Sequence, residues 1–205
     1  MIYRLTWLLL RFLMRLLLRW RIVGAGNVPK TGPLILASNH ISNLDPPVVC
    51  VGVWRPFTSM AKEELFRHPL FAWYISRLNA FPVKRGTADR AALKHSLEVL
   101  ERGRALLMFP EGTRSETGEL QEPEMGVGMI AYRSGAPVVP AYVSGTNRVL
   151  PKGGGFRLAP ISTTYGKPLR FVMPEGRKAG REEYEAVARE IMAAIAALRD
   201  GKAEG

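Results

Sequence analysis

An imidazole and a carboxylate are separated by four residues in Ser38-Asn39-His40-Ile41-Ser42-Asn43-Leu44-Asp45, which follows an apolar run and precedes Pro46-Pro47. Such a pair suits general-base chemistry. A carboxylate that receives one ring N–H fixes the tautomer and leaves the other nitrogen to take a proton from a hydroxyl. The four intervening residues, in a tight loop, let Asp45 fold back onto His40. Asp45 before Pro46 also has a plainer reading, as the N-cap of a helix running to Trp54 with proline at its first position. A single histidine in a loop is ordinary, so the pair takes its weight from the rest of the chain.

Two further polar clusters follow, Lys84-Arg85 and Glu111-Gly112-Thr113-Arg114-Ser115. Fixed cations hold an anionic substrate. Arginine does so bidentately on phosphate, and lysine adds a point charge. A glycine between them allows the backbone to approach a ligand closely. Together the three clusters supply a base, anion ligands and a close-contact loop.

The elements that deliver these loops are apolar and short. Leu34 to Ala37 reads as a buried strand leading into His40, and Arg104 to Phe109 as a second strand leading into Glu111. Further strands are expected at 21–26, 57–60, 137–144, 156–165 and 169–172, while Phe81-Pro82-Val83 runs into Lys84-Arg85-Gly86. Helices are expected from Pro46 to Trp54, from Lys62 through Phe66 with an interruption at His68-Pro69 and resumption from Leu70 to Leu78 with aromatics on one face, from a Thr87 cap to Arg102, from Met125 to Ser134 and from Arg181 to Arg199. Strands alternating with helices over 205 residues imply one α/β domain, a mixed central sheet flanked by helices with the loops gathered at strand ends.

Net charge is +11 and the isoelectric point about 10.2, which calls for anionic partners. Much of the excess lies at the start, where Arg4, Arg11, Arg15, Arg19 and Arg21 occur among apolar residues with no acid. At 100° per residue, Arg4, Arg11, Arg15 and Arg19 fall within an arc of roughly 80°. Ile2, Leu5, Leu9, Phe12, Leu13 and Leu16 lie opposite. A spanning helix would put two or three arginines near the hydrocarbon centre at about 2.5–3.5 kcal/mol each. The pattern therefore favours an amphipathic helix lying in the membrane interface, its arginines on lipid phosphates and Trp7 and Trp20 at the acyl boundary. Residues 1–22 form this membrane-docking element and 23–205 the main domain. The arginines interrupt any signal-peptide core. The single cysteine, Cys50, excludes a disulfide framework or a cysteine metal site and is expected to serve packing.

The three clusters, in order, resemble the sequence blocks of the glycerolipid acyltransferases. Asn39 to Asp45 is similar to their His-x4-Asp block, Lys84-Arg85-Gly86 to their basic second block, and Phe109-Pro110-Glu111-Gly112-Thr113-Arg114-Ser115 to their third. Val138-Val139-Pro140 with Gly145-Thr146 is similar to the apolar fourth. The resemblance covers about residues 23–170 and implies an α/β fold with an N-terminal helical membrane-docking element. It implies acyl transfer from acyl-CoA or acyl-carrier protein to the hydroxyl of a lysophospholipid, with 1-acyl-glycerol-3-phosphate as acceptor and phosphatidic acid as product. No metal, cofactor or covalent enzyme intermediate is implied. His40 would be the base and Asp45 its orienting partner. Lys84, Arg85 and Arg114 would hold the acceptor phosphate. Glu111, Gly112 and Thr113 would shape the acceptor pocket, with Glu111 on a glycerol hydroxyl or a neighbouring basic group. One departure is Glu119-Leu120-Gln121-Glu122-Pro123-Glu124, acidic where relatives carry lysine, which opens the choice of acceptor unless the segment faces water.

Other classes fit less well. A serine hydrolase using Ser42 or Ser115 lacks the Gly-x-Ser-x-Gly elbow. A non-enzymatic basic membrane-binding protein accounts for the charge but not for the blocks, and a nucleic-acid binder would show aromatics interleaved with basic residues on strands. The expected partners are a phospholipid membrane, a lysophospholipid acceptor and the acyl donor, without nucleic acid. The expected place is the cytoplasmic face of a bacterial inner membrane, as a peripheral protein.

Overall fold

The computed structural model describes residues 2–84, 89–171 and 180–201. The expected phosphate ligand Arg85, the expected cap Thr87 and the end of the last expected strand at Val172 lie outside the described residues. A seven-stranded mixed sheet runs in the order β1-β7-β6-β2-β5-β3-β4. Its strands are β1 Arg21–Val23, β2 Leu34–Ser38, β3 Phe57–Lys62, β4 Ala80–Val83, β5 Ala105–Met108, β6 Val138–Ser144 and β7 Ser162–Tyr165. The block β6-β2-β5-β3-β4 is parallel throughout, and β7 with β1 runs against it. The helices are α1 Ile2–Leu18, α2 Asp45–Val51, α3 Pro69–Arg77, α4 Arg90–Glu101, α5 Met125–Ser134, α6 Thr146–Val149 and α7 Arg181–Arg199.

Strand β2 is buried on both faces, and its alternation builds two cores. Leu34 and Leu36 enter one with α1 and α2, while Ile35 and Ala37 enter the other with α4, α5 and α7. Helices α5 and α7 meet so closely that a Cβ on Gly128 would lie 1.9 Å from the Tyr184 carbonyl oxygen, so only glycine fits there. Every strand of the parallel block points its C-terminal end to the same edge, and the loops after β2 and β5 leave it side by side.

Several boundaries differ from expectation: β1 ends at Val23 rather than residue 26, α2 at Val51 rather than Trp54, and β3 runs on to Lys62. Only Ser162–Tyr165 of the expected 156–165 strand pairs with β6; before it the backbone bonds elsewhere, Arg157 N–H to the Val149 carbonyl and Ile161 N–H to the Leu18 carbonyl. Leu169 makes a single bridge to Val138. Helix α4 starts at Arg90 with Asp89 as its cap, its carboxylate accepting the Ala92 N–H at 2.9 Å.

Helix α1 forms as expected but docks by a different face. Trp7, Met14 and Leu18 are buried in the same core as Leu34, so the boundary expected at residue 22 marks no break in packing. Trp7 and Trp20, assigned above to lipid, are buried and hydrogen-bonded to the Val53 carbonyl at 2.9 Å and the Thr163 hydroxyl at 3.0 Å. Arg11, assigned with them, turns inward between those rings and donates to the Val51 and Gly52 carbonyls at 2.7 and 3.0 Å. It therefore caps the C-terminal end of α2, where a cation complements the helix dipole. Arg4, Arg15 and Arg19 remain exposed beside an outward stripe of Leu5, Leu8, Leu9, Phe12 and Leu16. Among the described residues no helix is long and apolar enough to cross a membrane.

Candidate active site

His40 leaves the edge two residues after β2 and is buried, as is Asp45. His40 Nδ1 lies 2.8 Å from Asp45 Oδ2. The same oxygen accepts the Ile41 N–H at 2.6 Å and the Ser42 N–H at 2.7 Å, and Oδ1 accepts the Thr146 hydroxyl at 2.5 Å. Asp45 is thus not a helix cap. Its carboxylate turns back on the preceding loop and takes nothing from the N–H groups of α2. Its other partners are all donors, so the Nδ1–H tautomer of His40 completes the hydrogen bonding of this carboxylate. The imidazole stacks on Phe109 with ring centroids 4.0 Å apart, which holds its plane.

The loop after β5 grips the loop after β2. Glu111 Oε1 accepts the His40 N–H at 3.0 Å, Oε2 accepts the Gln121 amide at 3.0 Å, and the Ser115 N–H donates to the His40 carbonyl at 2.8 Å. Glu111 is buried, and desolvation raises its carboxyl above the ordinary range against the pull of those donors. Its two oxygens are engaged by the protein, not by a basic side chain as expected above, and its place in the site is as a positioning group behind His40. Gly112 adopts φ +67°, where a side chain would be strained and a Cβ would run into the Glu124 carboxylate.

Two cavities flank this turn. A largely apolar cleft of about 600 Å³ is lined by Met60, Val83, Leu107 and Phe109, with Lys84 and Glu124 among its polar groups and Gly112 at its wall. A smaller recess of about 300 Å³ is polar and contains Thr113, Arg114, Asn147 and Lys152, the last paired with Glu116. Lys84 and Arg114, expected around one phosphate, therefore line different cavities. Of the acidic segment, Glu119 is exposed and pairs with Arg199 and Glu122 is exposed, but Glu124 lines the cleft. Ser42 donates to the Leu150 carbonyl and Ser115 bonds within its own turn, so neither is paired with His40 as a nucleophile. Burial pushes the Cys50 thiol up to about 12, which leaves it inert. Among the described residues no group of three His, Cys, Asp or Glu side chains is placed to hold a metal ion.

Two contributors were not read from the sequence. Thr146 reaches Asp45 across 101 positions, and its only local signal was the Gly145-Thr146 turn after β6. Asn39 joins β2 to β6 by donating to the Val143 carbonyl at 3.0 Å and accepting the Val143 N–H at 2.7 Å. Its position beside His40 was the only hint.

A His–Asp pair thus stands at the edge of a parallel sheet, held by a Glu-Gly-Thr-Arg turn between an apolar cleft and a polar recess. The chain belongs to the acyltransferase family, whose profile matches residues 19–144. It is 30% identical over 166 residues to a chloroplastic 1-acyl-sn-glycerol-3-phosphate acyltransferase of Brassica napus, covering 76% of this chain and 48% of that one. It is 29% identical to the 1-acyl-sn-glycerol-3-phosphate acyltransferase of Bacillus subtilis, covering 73% of each. The crystal structure of the 1-acyl-sn-glycerophosphate acyltransferase PlsC of Thermotoga maritima superposes with a TM-score of 0.70 at 30% identity, covering 88% of this chain and 72% of that one. The chain thus spans about half the length of the plant relative and of several bacterial ones, and nearly three quarters of the Bacillus subtilis and Thermotoga maritima proteins.

Proposed function

We propose that this protein transfers a fatty acyl group from an acyl thioester, carried by coenzyme A or acyl-carrier protein, to the free hydroxyl of 1-acyl-glycerol-3-phosphate, forming phosphatidic acid. The observation that carries the reading is the saturated Asp45 carboxylate, which commits Nδ1–H of His40 and leaves Nε2 as a base. Nε2 removes the hydroxyl proton as the oxygen attacks the thioester carbonyl. The tetrahedral adduct collapses with cleavage of the carbon–sulfur bond, and the imidazolium returns its proton to the departing thiolate. The apolar cleft suits acyl chain, and Arg114 with Thr113 suits the phosphate in the polar recess. Lys84, and Arg85 beside it in sequence, add positive potential from the cleft side.

The reaction takes place at a membrane surface, to which the outward stripe of α1 and the exposed Arg4, Arg15 and Arg19 would hold the protein. A cytoplasmic, peripheral attachment to the bacterial inner membrane fits that design. Purified protein supplied with lysophosphatidate and each donor in turn tests the reading. Phosphatidic acid should appear with the wild type and fall by about 10²–10⁴-fold with His40→Ala. Unchanged turnover in the variant would refute the base assignment. A second acceptor, one with an amino group in its head, is favoured only by Glu124 in the cleft wall, and a lysolipid panel in the same assay decides it.

A further inference from the structure

Helix α3 is apolar along much of its length and has no buried residue. It rests on β4 and the turn at 63–66 with Ala72 and Ile75 half-buried, and its other apolar side chains are left uncovered. Leu70 is 75% exposed, and Phe71, Trp73 and Tyr74 are exposed with it. The patch continues beyond the helix. Tyr74 meets Thr6 of α1 through their hydroxyls at 3.3 Å, and Trp54, 72% exposed, stands edge-on to Trp7 with centroids 3.9 Å apart. Leu5, Leu8, Leu9, Phe12 and Leu16 lie on the outer side of the same α1.

We infer that α3 and Trp54 form a second lipid-contacting surface, which joins α1 in a platform that rests on an anionic bilayer. Charge selects this occupant. Residues 2–21 and 65–78 contain no Asp or Glu, and Arg4, Arg15, Arg67 and Arg77 are exposed around the apolar groups. The Arg77 guanidinium lies over the Trp73 ring at 5.5 Å. A second copy of the chain would press these exposed arginines against one another, whereas lipid phosphates neutralise them. Tryptophan and tyrosine at the rim, with leucine and phenylalanine between, match the headgroup boundary, where rings keep an apolar body and a wet edge. The site depends on the proposed reaction only in taking the substrate to be a lipid.

Sedimentation of the full chain with sucrose-loaded vesicles, without acceptor or donor, tests the surface. On phosphatidylcholine with one part in three phosphatidylglycerol, Leu70→Ser/Phe71→Ser/Trp73→Ser should lower the partition coefficient by at least about tenfold. Arg67→Gln/Arg77→Gln should weaken binding on those vesicles and leave pure phosphatidylcholine nearly unaffected. Unchanged partition of the triple variant, or its conversion of a dimer to a monomer on gel filtration with vesicle binding intact, overturns the proposal. Should the triple variant fail to fold, Trp54→Phe leaves Trp73 as the exposed tryptophan, Trp7 and Trp20 being buried. Brominated phosphatidylcholine should quench it well beyond the Trp54→Phe/Trp73→Phe background, and equal quenching counts against the surface. Vesicle binding without acyl transfer would sink the reaction and leave this surface standing.

Discussion

The loops after β2 and β5 leave the same sheet edge, yet they divide the work. The first carries the reactive pair, His40 and Asp45, and the second carries no base of its own but holds the first by both backbone polar groups of His40. Asp45 holds its own loop, accepting the Ile41 and Ser42 N–H groups as well as meeting the His40 ring. Glu111 reaches across to the other loop, accepting the His40 N–H and the Gln121 amide. A buried carboxylate appears in each, with different duties: Asp45 orients a ring and closes its own turn, and Glu111 ties one loop to the other. The difference teaches that the Glu-Gly-Thr-Arg turn is also scaffold, and only Thr113 and Arg114 of it enter the polar recess.

Substitution of each carboxylate in turn sharpens that division. Removing the imidazole with His40→Ala should cost about 10²–10⁴-fold in turnover while every backbone hydrogen bond of the loop keeps its partner. Asp45→Ala should damage both. It leaves the half-buried Ile41 and buried Ser42 N–H groups without an acceptor, at up to about 1–3 kcal/mol each, and frees the ring as well. Urea unfolding beside initial rates measures this, and an Asp45→Ala protein as stable as wild type would contradict the hydrogen-bond geometry. Thr146→Val tests the remote arm. It keeps the shape, removes one donor to Oδ1, and should cost about 0.5–3 kcal/mol in stability with a smaller loss of rate than Asp45→Ala.

Much of this was legible because apolar runs and polar loops alternate sharply in the chain. Leu34 to Ser38 and Ala105 to Met108 are buried on both faces, so continuous hydrophobicity marked them, and the sequence of β2 led directly to His40. What escaped the sequence is what distance hides. Nothing local marks Thr146 as a partner of Asp45, or the His40 N–H as the target of Glu111. Helix α1 shows a second limit. Its periodicity is plain, but Trp7, Met14 and Leu18 on one side and Leu5, Leu9 and Phe12 on the other are all apolar, with Arg11 between them. Periodicity finds a face and cannot say whether protein or lipid covers it, so Trp7, Arg11 and Trp20 were placed toward the wrong medium.

The smallest effects bear on the second loop. Glu111→Ala leaves the His40 N–H unpaired at about 1–3 kcal/mol, and should lower turnover by less than His40→Ala because the ring stays. Glu111→Gln keeps an oxygen for that N–H and removes the charge, so its signature is pH dependence. Burial raises the Glu111 carboxyl above its ordinary value of 4.5, meaning the folded protein binds that proton more tightly than the unfolded chain does. Stability from this group is therefore fully present below pH 4.5 and is lost as pH rises through the raised folded value. Plotted against pH, the unfolding free energy of wild type minus that of Glu111→Gln should fall across this window and level off on either side. A flat difference would mean that the carboxyl feels no desolvation, and with it would go the picture of Glu111 as a buried strut behind His40.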